Sequence, residues 1–351
     1  MPRRAEAWPS APAARRAASR PATRRLQTAV AVAIGLALLG WLLHQAGLAA
    51  VWERFRTLGW WAPAVLVPYA VVGWADALGW RCTLSRADRG KVPLSALYAV
   101  RLAGEAVNSV TPAAAVGGEP VKAWMLRSWG IPGPEALASV VIAKTALIAS
   151  QSLFTAIGVA AMLDWLGRRT LAVGWLVVLA SAAIGFTITL VWLQRRSPAR
   201  AVWRGLRRVF PRATFVVRLE TGATDLDRRL AEFYHVERGA FLRASSWNFL
   251  GWMLGVVEVH LIAALIGHPV SWWDALIVEA LAQPIRATAI VIPGGLGTQE
   301  VGGVWLCTVL GMPEAAAVTL WLLKRARETV FDAAGLVYLA RTSALRRGVP
   351  A

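Results

Sequence analysis

The chain has 351 residues, 57% of them hydrophobic, with 19 tryptophans and a formal charge of +18. Apolar runs flanked by arginine clusters fit a polytopic membrane protein and argue against a nucleic-acid partner, which needs its cations gathered on one face of a soluble domain. Only Cys82 and Cys307 are present, far apart, so neither a disulfide framework nor a metal site is expected, and no cofactor motif is found.

Residues 1–25 hold seven arginines against Glu6 and show no hydrophobic periodicity, which reads as a disordered, cytoplasmic, lipid-facing tail. Thr23, Arg24, Arg25 and Leu26 resemble a twin-arginine export signal, but an uncleaved first helix explains the same residues. Residues 26–43 are uncharged and just long enough to cross a bilayer, and 58–80 form a second span carrying Asp76. Arg81, Arg86, Arg89 and Lys91 follow, so the positive-inside rule places the amino terminus in the cytoplasm. A helix over 94–110 is broken at Thr111-Pro112 and resumes from about 120 to 129. With Lys122 and Arg127 on the returning arm, 94–129 reads as a hairpin that leaves by the face it entered. The next span, 136–163, carries Lys144 and completes a first membrane repeat over 26–170.

The second repeat covers 171–340. It begins with an uncharged span at 171–193 and a basic cytoplasmic loop at 194–243, with twelve arginines against five acids. In that loop Trp203 and Leu206 oppose Arg204, Arg207 and Arg208, the pattern of an interfacial amphipathic helix. A span at 244–267 carries Glu258 and His260. A second hairpin at 271–310 breaks at Pro293-Gly294-Gly295, a span follows at 315–340, and 341–351 form a cytoplasmic tail. The expected fold is therefore all-α: a polytopic integral membrane protein of about six spanning helices plus two re-entrant helical hairpins. Three spans separate the hairpins, so they enter from opposite faces and the halves are inverted-topology repeats.

Laying 106–144 over 287–325 supports the repeat, matching Pro112, Glu119, Trp124, Gly130 and Pro132 with identical residues and Lys144 with Arg325. Lys144 and Arg325 fall near the middle of their spans, where a cation must face the protein interior, find a partner or serve function. The helices restarting near Glu119 and Thr298 would point free N–H groups at the same layer. Gly117, Gly118, Gly294 and Gly295 would let backbone approach a ligand. Arg101, Glu105 and Arg286 border the hairpins, with Arg101 also able to snorkel to the interface, and Asn108 and Gln299 could bond a head group or cap freed backbone groups. Together they suggest a site for an anionic head group, phosphate above all. The competing reading is a structural network in which Glu119 and Glu300 cap helix starts and pair with Lys144 and Arg325. No catalytic residue is assigned.

The stretch 101–127, R-L-A-G-E-A-V-N-S-V-T-P-A-A-A-V-G-G-E-P-V-K-A-W-M-L-R, together with P-G-G-L-G-T-Q-E at 293–300, resembles the flippase-like family related to the transmembrane region of lysylphosphatidylglycerol synthases. The resemblance implies a multi-pass protein of the bacterial inner (plasma) membrane that moves a lipid between leaflets. Relatives are associated with aminoacylated phosphatidylglycerol, hopanoids or polyprenyl-linked sugars. No soluble aminoacyl-transfer domain follows the matching region, which favours translocation over lysyl transfer. The expected partners are membrane lipids with anionic or polyprenyl-linked head groups, with a lipid-modifying enzyme as a further candidate. A membrane-embedded enzyme or enzyme subunit for lipid-linked glycosyl or aminoacyl transfer, and a non-transporting scaffold, are the alternatives.

Overall fold

The computed structural model describes residues 52–53, 56, 59–111, 117–166, 171–194, 196, 198–209, 214–288 and 297–347. Among them are eleven α-helices and no strand, so the chain is an all-α polytopic membrane protein, as expected. The amino-terminal tail, the span at 26–43, and Pro293, Gly294 and Gly295 lie outside the described residues.

Helix α1 (Leu66–Thr83) continues from a 3-10 turn at Gly59–Val65, so the helix proper starts later than the expected span at 58. Its last residue, Thr83, donates its hydroxyl to Trp80 O and to Ser139 O near the start of α4, at 2.8 and 2.9 Å. Helix α2 (Leu94–Val110) ends because Thr111 precedes a proline and is extended, with φ −107° and ψ 131°. The returning arm α3 (Gly118–Leu126) begins two residues before Pro120, which sits in the first turn where no backbone N–H is required. Helix α4 (Gly133–Leu166) follows and runs 34 residues, a long apolar helix about 51 Å end to end at 1.5 Å per residue.

Helix α5 (Leu171–Gln194) returns the chain to the end of the bundle where α4 began. The basic stretch after it is ordered as an antiparallel-packed pair, α6 (Pro198–Val209) and α7 (Thr214–Val236). Asp227 of α7 accepts the backbone N–H groups of Ala199 and Arg200, both at 2.9 Å, and so caps the start of α6. Helix α8 (Arg238–Leu265) crosses the bundle, α9 (Trp272–Thr288) and α10 (Thr298–Val309) form the second hairpin, and α11 (Glu314–Arg347) crosses back. Helix α11 continues through 341–347, which had been expected to be tail.

Three stretches of helix are long and apolar enough to cross a membrane among the described residues: Gly59–Thr83, Gly133–Leu166 and Gly239–Leu265. Helix α11 is as long as α4, but Lys324, Arg325, Arg327, Glu328 and Asp332 lower its hydropathy. Lys324 and Arg327 are buried among protein groups, so the charge faces inward.

The repeat is written into the backbone. Gly130 and Gly311, equivalent in the alignment, both adopt positive φ (73° and 90°), and their N–H groups bond Arg127 O and Thr308 O at 3.1 and 3.0 Å. The next helix starts identically in each half, with Ala136 N–H bonding Pro132 O and Ala317 N–H bonding Pro313 O. Helices α4 and α11 are both 34 residues long, and Lys144 and Arg325 are the twelfth residue of each. Packing obeys the same exchange: α2 lies on α11 while α9 lies on α4, and α1 against α2 is matched by α8 against α9. Ser139, near the start of α4, meets the end of α1, from which the chain turns into α2. Gly158, late in α4, meets Ala280 of α9. The two hairpins therefore enter from opposite ends of the bundle.

Candidate functional site

The hairpins and the long helices α4 and α11 enclose a cavity of about 470 Å³ between the two halves. Its wall includes Glu119 and Lys144 from the first half, Arg286, Gln299 and Arg325 from the second, and Asn108 from the tip of α2.

The first half contributes a chain of charges. Lys122 Nζ lies 2.6 Å from Glu105 Oε1 and 3.4 Å from Glu119 Oε1, and Lys144 Nζ lies 3.3 Å from that same Glu119 oxygen. Glu119 Oε1 thus serves two lysines, while its Oε2 is buried without a hydrogen-bond partner. The second half repeats the pairing: Arg325 Nε is 2.5 Å from Glu300 Oε1, and Glu328 bridges Arg325 and Arg286 at 3.1 and 2.8 Å. The alignment that superposes the sequences also superposes Glu119–Lys144 on Glu300–Arg325. Both pairs sit roughly 17 Å along their 34-residue helices, counted from opposite ends of the bundle.

Several expectations are corrected by this geometry. Gly118 does not open the backbone to a ligand: a Cβ there would lie 1.9 Å from Gly104 O, so the glycine lets α3 press against α2. Gly117 occupies the position before α3 with an ordinary φ of −63° and is absent from the cavity wall. Asn108 spends its side-chain oxygen on the Gly118 N–H at 2.7 Å, closing the hairpin while lining the cavity. Glu300 is only 1% exposed and stands behind Arg325 rather than on the wall. Lys122, expected to mark the cytoplasmic end of the returning arm, is buried, because only four residues separate it from the start of α3 at the deep tip.

Arg101 does not snorkel. It pairs with Asp76 of α1, and its second guanidinium nitrogen, Nη1, is buried without a partner beside the cavity. Asp76, Arg101, Glu105 and Lys122 also line the cavity; the sequence set Arg101 and Glu105 beside the hairpins but assigned none of the four to the site. Arg101 and Glu105 stand four apart on one helix face, and Glu119 and Lys122 three apart, so each couple was visible as an aligned charge pair.

A second buried network lies behind the cavity and reaches its wall at Tyr69. Arg327 grips Glu258 with two bonds of 2.5 and 2.8 Å, Lys324 contacts Glu279 and lies 3.7 Å from Glu258, and Arg327 stacks over Tyr69 at 3.8 Å. Lys324 therefore turns away from Glu328, although the two are four residues apart on one helix. The network ties α8, α9 and α11 together. His260 stacks on Trp272. No cluster of metal-ligating side chains is found among the described residues.

Residues 28–334 match the family model described as the lysylphosphatidylglycerol synthase TM region. A UPF0104 membrane protein of Methanothermobacter thermautotrophicus is 28% identical over 220 residues, covering 58% of this chain and 62% of that relative. The chain thus spans somewhat less than two thirds of the relative's length. No solved structure matches the chain.

Proposed function

Because the chain belongs to the lysylphosphatidylglycerol synthase transmembrane-region family, we propose that it is a lipid translocator whose central cavity passes the polar head group between leaflets while the acyl chains stay in the bilayer. The observation carrying this reading is the mirrored ion pair. Glu119–Lys144 and Glu300–Arg325, one from each oppositely inserted hairpin and the helix after it, converge on one cavity between the halves. Repeats inserted in opposite senses around a midplane site suit alternating exposure to the two sides. Charged groups at that depth are costly to hold in hydrocarbon, and a polar pathway gives them a use.

The head group engages Lys144 first. Its bond to Glu119 is longer than that of Arg325 to Glu300, and it shares its carboxylate oxygen with Lys122. The loop cations Arg86, Arg89 and Lys91, the α6–α7 arginines and Arg341 lie at the end of the bundle where α4 begins. That end is therefore cytoplasmic in this reading, in a bacterial plasma membrane with the amino terminus inside. Membrane lipids with phosphate-bearing head groups are the partners it handles.

Reconstitution into vesicles with fluorescent phospholipids tests the reading against both alternatives. A translocator exposes inner-leaflet lipid to a membrane-impermeant quencher and returns it chemically unchanged. Altered lipid would establish an enzyme, and unchanged leaflet asymmetry would leave a scaffold.

A further inference from the structure

The cavity was expected to be a positively charged socket for an anion, and it is not. Its wall carries five acids (Asp76, Glu105, Glu119, Glu328 and Asp332) and five bases (Arg101, Lys122, Lys144, Arg286 and Arg325). Glu300, one layer behind Arg325, adds a further carboxylate, and the tip segments 112–116 and 289–296 contain no ionisable residue. No surplus of cations awaits a phosphate.

A net-anionic head group entering this space would set uncompensated charge against a balanced wall. A neutral sugar would offer the wall no ionic group with which to exchange these pairs. Among the buried atoms without a hydrogen-bond partner is a pair of opposite kind on residues of the wall: the donor Arg101 Nη1 and the acceptor Glu119 Oε2. Such atoms call for a ligand or water, and charge-assisted bonds are the strongest either can make.

We propose that the cavity selects a zwitterionic head group, one phosphodiester and one primary ammonium with no net charge. The phosphate is taken by Arg101 and Lys144 and the ammonium by Glu119. This specificity rests on the translocator reading. It makes Arg101 and Glu119 the residues that distinguish such a head from net-anionic ones. The ammonium takes over part of the role of Lys144 at Glu119, which frees that lysine for the phosphate; charge is conserved throughout the exchange.

The test is competitive lipid binding to the detergent-solubilised full chain by native mass spectrometry, paired with the vesicle assay. The probes are phosphatidylethanolamine, phosphatidylglycerol, undecaprenyl phosphate, a monoglucosyl diacylglycerol and soluble phosphoethanolamine. Phosphatidylethanolamine should bind at least roughly tenfold tighter than any of the others, as expected where an unbalanced charge is penalised. Glu119→Gln should reverse the preference toward phosphatidylglycerol by removing the one carboxylate that receives the ammonium and leaving Lys144 without its anionic partner. Arg101→Lys, which keeps the charge beside Asp76 but removes the second nitrogen, should weaken phospholipid binding generally. These preferences are ratios measured on whatever protein is folded, so a poorly expressed variant still reports.

Equal or tighter binding of phosphatidylglycerol, undecaprenyl phosphate or the glucolipid would overturn the zwitterion assignment while leaving translocation standing. Soluble phosphoethanolamine binding as tightly as its lipid would also overturn it, by making the ligand a free metabolite. Selective phosphatidylethanolamine binding without redistribution in vesicles would uphold the head-group class and defeat the translocator reading.

Discussion

Glu258 and Arg327 show how a buried charge becomes tolerable: each is almost wholly enclosed, and two parallel bonds satisfy the guanidinium and the carboxylate together. Removing one partner strands the other, so Arg327→Met should destabilise the protein by about 3–5 kcal/mol, whereas Arg327→Met with Glu258→Leu should recover most of the loss. Unfolding in mixed micelles measures both, and an undisturbed single variant would show that Lys324 alone suffices for Glu258. On the loop between α1 and α2, burial raises the pKa of Asp88, but bonds from Lys91 at 2.7 Å and Ser85 at 2.6 Å prevail and hold its carboxyl below the usual aspartate range. A depressed folded value means the contribution is complete above the unfolded pKa of about 3.9 and is lost as pH falls through the folded one. Asp88→Asn should therefore lower stability at pH 7 by less than about 1 kcal/mol, because Lys91 is half-exposed, and the difference should shrink in melting curves as pH falls below the unfolded value of about 3.9.

At the scale of elements, the hairpins depend on glycine for contact. Gly118→Ala would drive a methyl into a carbonyl of α2 that cannot move aside, at a cost of about 1–3 kcal/mol or more. Gly104→Ala would displace the buried Lys122 side chain from its Cγ outward, so it should lower stability and also disturb the Glu105–Lys122–Glu119 series, measured by unfolding and by lipid movement. Asp227→Ala should loosen α6 by about 1–2 kcal/mol, read as faster proteolysis between α5 and α7 with the remaining bundle intact.

These elements also mark what could be read from the sequence. Both hairpins, the α4 and α11 cations and the Glu119 and Glu300 pairings were legible, because ionisable residues and Gly-x-Pro breaks are rare inside apolar runs. The Asp76–Arg101 and Glu279–Lys324 pairs were not, since each joins helices that only the packed bundle brings together. Lys122 reads as a marker of the cytoplasmic face from its charge alone, whereas its place four positions after the start of α3 sets it beside the deep end of the hairpin, where it is buried.

At the scale of the molecule, the two halves are one design inserted twice in opposite senses, with the ionisable middle shared between them. The inversion itself is open to labelling. In a chain with Cys82 and Cys307 replaced by alanine, Gly90→Cys should react from the cytoplasmic side and Glu314→Cys from the outside. Labelling of both from one side would break the symmetry argument. The loss of either central cation removes an interaction worth several kcal/mol in a poorly solvated site, which is more than a tenfold effect on any step that uses it. The decisive measurement is the rate of phospholipid redistribution in vesicles holding matched amounts of wild type, Lys144→Ala or Arg325→Ala. Both variants are expected to insert normally and to fall at least roughly tenfold, whereas rates within about twofold of wild type in both would contradict a head-group path through the mirrored pairs.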